Sequence, residues 1–134
     1  MGLPGVDPHC EAWRRNRKRA GEYHAAFETD CPDWSIVLKF YAAMHLTQGY
    51  LASKSAVRFD AKSHAERERA IKESPELGRR FAQHYKALKA LSENVRYEPE
   101  FQPRGQDFEA AESGLLTVES FLKNRLRDKG ATVD

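Results

Sequence analysis

Apolar positions recur at three- and four-residue intervals along most of the chain, the spacing that brings side chains onto one face of an α-helix. Between residues 33 and 53 the pattern broadens. Trp34, Leu38, Tyr41 and His45 form one stripe and Ile36, Phe40, Ala43 and Thr47 another, so this segment is apolar around most of its circumference. Such a helix is buried on several sides, and the segment is expected to be the central member of a bundle. A helix over 8–28 precedes it, with Trp13, Ala20, His24 and Phe27 on one stripe. The sequence Asp30-Cys31-Pro32-Asp33 separates the two, since proline is tolerated only in a helix's first turn.

Further along, 54–62 reads as a loop, and Ser63 with Glu66 forms a capping-box signature for a short helix to about residue 73. Ser74-Pro75-Glu76 supplies a cap, a first-turn proline and a dipole-favoured acid for a fourth helix. That helix carries Leu77, Phe81, Tyr85 (or His84), Leu88, Leu91 and Val95. Pro99 and Pro103 make 98–104 a loop. Asp107 is read as the cap of a fifth helix, with Phe108, Ala111, Leu115, Val118, Leu122 and Arg125/Leu126 on one face and Gly130 as its stop. No alternating run reads as a strand. The expected fold is all-α, an up-and-down bundle of four long helices plus one short one, forming a single domain over 1–134 with 1–7 and 130–134 flexible.

Composition narrows this picture modestly. Of 134 residues, 40% are apolar and 31% charged, which suits a soluble globular chain and excludes general disorder. A net charge of +2 does not by itself imply a polyanionic partner. Lys39, His45 and Gln48 make the apolar segment too polar to cross a bilayer, so no membrane association is expected. The start MGLPGVDPHCE lacks the basic and apolar regions of a signal peptide. Cys10 and Cys31 could pair in principle, and are read as reduced thiols of a cytoplasmic protein.

Candidate chemistry then falls into four groups. Arg14, Arg15, Arg17, Lys18 and Arg19 place five cations in the seven residues after Ala12, either a nucleic-acid phosphate clamp or a solvated face balanced by Glu11 and Glu22. His45 lies on the core helix, where burial favours a neutral, hydrogen-bonded imidazole. His64 and Arg67, three apart, share a helix face, where histidine could move a proton and arginine could neutralise phosphate. Arg96, near a helix carboxyl end where a cation is favoured, follows Ser92 and precedes Tyr97, while Tyr85 belongs to the core with a hydroxyl in need of a partner. Zinc-ligand spacing, a Gly-rich phosphate loop, a nucleophile elbow and Glu-x-x-His pairs are all absent, so neither metal nor cofactor is expected.

The run Trp34-Ser-Ile-Val-Leu-Lys-Phe-Tyr41-Ala-Ala-Met-His45, followed by His64-Ala-Glu-Arg67, Tyr85-Lys-Ala-Leu88 and Ser92-Glu-Asn-Val-Arg96-Tyr97, resembles small bacterial HEPN-like proteins (higher eukaryotes and prokaryotes nucleotide-binding). The resemblance spans about residues 33–98. It implies a homodimeric helical bundle. It also implies a metal-independent ribonuclease of a toxin, antiphage or RNA-processing system, in which RNA is cleaved by its own 2′-hydroxyl. The family's active site pairs an Arg with a His across four to six intervening residues. Here no His follows Arg96, and the bare spacing occurs instead at Arg17–His24, Arg19–His24, Arg58–His64 and Arg79–His84.

Two readings therefore stand. In one, His45, His64, Arg67 and Arg96 form a variant catalytic site of an RNA-directed protein. In the other, the same groups, with Tyr85, Ser92 and Tyr97, form a structural polar network in a non-catalytic module that dimerises or docks on a protein partner.

Overall fold

In the computed structural model, residues 5–26, 33–54, 63–131 and 133 are described, with side chains of 23–26 excepted. They form α1 (Asp7–Ala26), α2 (Trp34–Ser53), α3 (His64–Lys72), α4 (Gly78–Tyr97) and α5 (Gly105–Asp128). Among the described residues there is no strand, and the all-α class is borne out, with four helices of 20 or more residues and one of nine. His24, Phe27, Cys31 and Arg58 carry expectations whose side chains lie outside the description.

Side-chain pairings fix the helix directions. His9 near the start of α1 meets His45 late in α2, so these helices are antiparallel. Tyr41 early in α2 meets Arg96 at the end of α4, while Tyr50 late in α2 meets Glu76 just before α4. Phe81 of α4 packs on Phe121 of α5, and Leu88 lies beside Gly114, which makes α4 and α5 antiparallel as well. The long helices thus run alternately up and down, with α3 carried in the α2–α4 connection.

Helix α2 touches each of the other four, as its all-round apolar pattern implies. Ile36, Phe40, Ala43, Leu46 and Thr47 are fully buried. The second stripe behaves differently: Trp34 is 43% exposed, and Leu38, Tyr41 and His45 are half-buried. With apolar residues on nearly every side, periodicity alone does not identify the outermost face. Trp13, Phe81, Tyr85, Leu88, Leu115, Leu122 and Leu126 complete the core from α1, α4 and α5.

Boundary chemistry follows the sequence at α3, where Ser63 Oγ accepts from the Glu66 amide at 3.1 Å. Two other caps are corrected. Ser74 does not start α4, because its hydroxyl donates back to Ala70 O at 2.8 Å and accepts from Lys54 Nζ; the helix begins at Gly78. Asp107 sits inside the first turn of α5 and reaches back to the Arg104 amide at 2.8 Å, so Arg104 holds the cap position. Gly130, with φ +90°, ends α5 as expected. The flanks expected to be loose contain packed residues: Val6, Ala131 and Val133 are buried, and Arg127 Nε donates to Val133 O at 2.8 Å.

Candidate functional site

Helix α3 brings its polar pair into the bundle. Arg67 is buried between α2 and α4, and its Nε donates to Gln48 Oε1 of α2 at 3.0 Å. Its Nη1 lies 3.2 Å from His64 Nδ1. A guanidinium only donates, so His64 Nδ1 is the accepting nitrogen and the imidazole proton resides on Nε2. Burial pushes the His64 pKa down, and the charges of Arg67, Lys89 and Arg96 push the same way against Glu93. The ring is therefore neutral at pH 7, half-buried, and lies tilted against Phe40, 5.7 Å between centroids.

Arg96 approaches from the end of α4. Its Nη1 donates to Tyr41 Oη of α2 at 2.8 Å, and its Nε reaches the Ser92 carbonyl at 3.4 Å. The guanidinium also stacks over the Tyr41 and Tyr97 rings at 5.4 and 5.0 Å. These contacts spread the planar cation between two aromatic faces while leaving it half-exposed, a posture suited to meeting an anion. Lys89, one turn before Glu93, bridges Glu68 of α3 and Glu93 of α4 at 3.2 and 3.7 Å.

His45 lies deeper, on the α1 side of Arg67. Its Nδ1 is 2.9 Å from Nδ1 of His9, so one of the two rings donates and the other accepts. Burial drives its pKa down to about 4, helped by the charges of His9, Arg67 and Arg15. Neutral and paired to His9, His45 links α1 to α2.

The three structural candidates separate. Tyr85 and Ser92 are buried; among the described residues the Ser92 hydroxyl has no hydrogen-bond partner, while the Tyr85 hydroxyl lies toward Arg67. Burial raises the Tyr85 phenol to about 12 against the pull of the nearby Arg67 charge. Tyr97 is 67% exposed, so it meets Arg96 from outside and is not part of the buried network.

On α1 the five cations disperse. Arg17 Nε pairs with Glu119 of α5 at 2.8 Å, and Lys18 faces Glu22 at 3.8 Å. Trp13 Nε1 donates to the same Glu119 at 2.9 Å, while Lys123 sits over its ring. Burial raises the Glu119 pKa despite these partners. Arg14 is engaged as well, and Arg15 and Arg19 are exposed. The buried Cys10 is a free thiol whose pKa burial pushes up to about 11.

The structure thus brings together His64, Arg67 and Arg96, with His45 behind them. It adds Gln48, Tyr41, Lys89 and His9, which the sequence reading had not assigned to the site. Gln48 carried a signal in being an amide within an apolar helix; the others depend on helix directions. Among the described residues no group of His, Cys, Asp or Glu could hold a metal ion, and no helix is long and apolar enough to cross a membrane. No protein-family model, curated protein or solved structure matches the chain.

Proposed function

We propose that this chain is an RNA-directed protein and a metal-independent endoribonuclease, with the His64–Arg67–Arg96 cluster as its site. The observation that carries the reading is His64 Nδ1 lying 3.2 Å from a buried arginine, beside the half-exposed Arg96. Arg96 would hold the phosphate. Arg67 keeps its Nε on Gln48 while its terminal nitrogens turn from His64 to the phosphate, which frees the Nδ1 lone pair. That nitrogen then takes the 2′-hydroxyl proton as O2′ bonds to phosphorus. The bond to the 5′ oxygen breaks, and that oxygen collects a proton from solvent. The products are a 2′,3′-cyclic phosphate and a 5′-hydroxyl. The lowered His64 pKa keeps the base unprotonated at neutral pH. Two copies of the chain pair in this reading, within a toxin or antiphage setting.

The test is incubation of purified protein with end-labelled RNA in EDTA. Cleavage that leaves cyclic phosphate ends, and that disappears in His64→Ala and Arg96→Ala while both variants stay folded, supports the site. A second reading is favoured by the internal bonding of Arg67 and His45: the network fixes helix register in a non-catalytic module that docks on a protein or on its own copy. It is supported if wild-type protein never cleaves RNA and Arg67→Ala chiefly lowers the unfolding temperature.

A further inference from the structure

A groove of about 500 Å³ runs between α3 and α4, on the side where α3 ends and α4 begins. Arg69 and Lys72 line it from α3, and Arg79 and Lys86 from α4. All four are exposed, and among the described residues none takes part in an ion pair. Among the described residues the groove's one acid, Glu68, is already held by Lys89 at 3.2 Å. Four unopposed cations thus face a concave surface large enough for a nucleotide. The inner wall includes Tyr85, which is almost fully buried. Two of the cations are guanidinium groups, which grip phosphate oxygens in pairs.

The groove and the site share the α3–α4 seam. Glu68 and Tyr85 line it, and Glu68 binds Lys89, one turn along α4 from Tyr85 and toward Arg96. On α3, Arg67 and Arg69 are two residues apart, one turned into the bundle and the other out to the groove. A chain of phosphates lying along the α3–α4 seam would pass from Arg79 and Lys72 toward His64 and Arg96. We propose that the groove binds backbone phosphates of a single RNA strand next to the one at His64, and so sets the strand's direction across the site. This rests on the RNA-directed reading above.

Full-length protein is titrated in EDTA with a fluorescent 2′-O-methyl oligonucleotide, which binds without being cleavable, at several salt concentrations. Inorganic pyrophosphate is the competing probe. The double variant Lys72→Glu/Arg79→Glu, altered at exposed positions, should bind about tenfold more weakly. Its plot of log affinity against log salt should flatten by about 1.4, two contacts at about 0.7 each. Circular dichroism should show unchanged helicity and melting. RNA affinity unchanged by the double variant overturns the proposal. So does pyrophosphate binding lost in the variant while RNA binding is kept, which would assign the groove to a small phosphorylated ligand. Binding lost in the double variant but kept in His64→Ala supports it even if wild-type protein never cleaves RNA, a result that would remove only the nuclease reading.

Discussion

Two cationic regions of the molecule differ in what the fold has done with the charge. On α1, five cations crowd into one stretch, yet Arg17 is spent on the buried Glu119, Lys18 faces Glu22 and Arg14 is engaged. Between α3 and α4, four cations are dispersed over eighteen residues of sequence and converge on one groove with their single acid already neutralised. Sequence density measures how many charges lie near one another along the chain. Affinity for phosphate depends on how many remain uncompensated on one surface.

The largest expected effect separates Arg17 of α1 from Arg67, the buried arginine of α3 beside the groove. Arg67→Ala takes from the buried Gln48 carbonyl its hydrogen-bond donor and removes a charge from the core of the site. It should cost about 3 kcal/mol in urea unfolding. Arg17→Ala removes a half-exposed cation while Trp13 still satisfies Glu119, and should cost about 1 kcal/mol. Equal losses would mean that the two arginines are anchored alike.

Acid should weaken the interior before the surface. The folded His45 takes up a proton only near pH 4, the unfolded one near 6.5. The unfolded state therefore binds more protons between these values, and stability falls as pH drops through that window and levels off below it. Discounted for the ring's partial exposure, the loss is on the order of 2 kcal/mol. His45→Gln should flatten the profile measured by urea unfolding from pH 7 to pH 4. A profile as steep as that of the wild type would place the acid-sensitive group elsewhere.

The contrast in binding is smaller in energy and more direct. Reversing Arg15 and Arg19 on α1 should weaken oligonucleotide binding by less than about threefold, against about tenfold for Lys72 and Arg79. Smallest of all, Glu119→Gln releases Arg17 to solvent and should raise RNA affinity by about twofold, with a salt slope steeper by about 0.7. If freeing Arg17 changes nothing, uncompensated charge is not what α1 lacks.

Much of the fold was legible because core positions in α4 and α5 repeat with a clean helical period, from Phe81 to Leu88 and from Ala111 to Leu126. The i,i+3 relation of His64 and Arg67 was legible for the same reason. Trp34 and Tyr41 were harder: on a helix apolar all round, only the neighbours decide which stripe faces out. The His9–His45 contact requires knowing that α1 runs against α2, and the groove requires the approach of α3 to α4. Gly78, rather than Ser74, opens α4 because the serine hydroxyl found a nearer carbonyl in Ala70.

Helix α3 has nine residues, too few to persist by themselves in water. Its order is borrowed from two inward side chains, Arg67 and Ile71, and from the Ser63 cap. Because Arg67 belongs to the cluster, the coil-to-helix equilibrium of this segment and the occupancy of the cluster are thermodynamically linked. Any ligand that binds only the ordered form slows amide hydrogen exchange in α3 by the factor one plus ligand concentration over Kd. Amides of residues 67–72 are therefore a built-in gauge of binding, readable before any substrate or product has been identified.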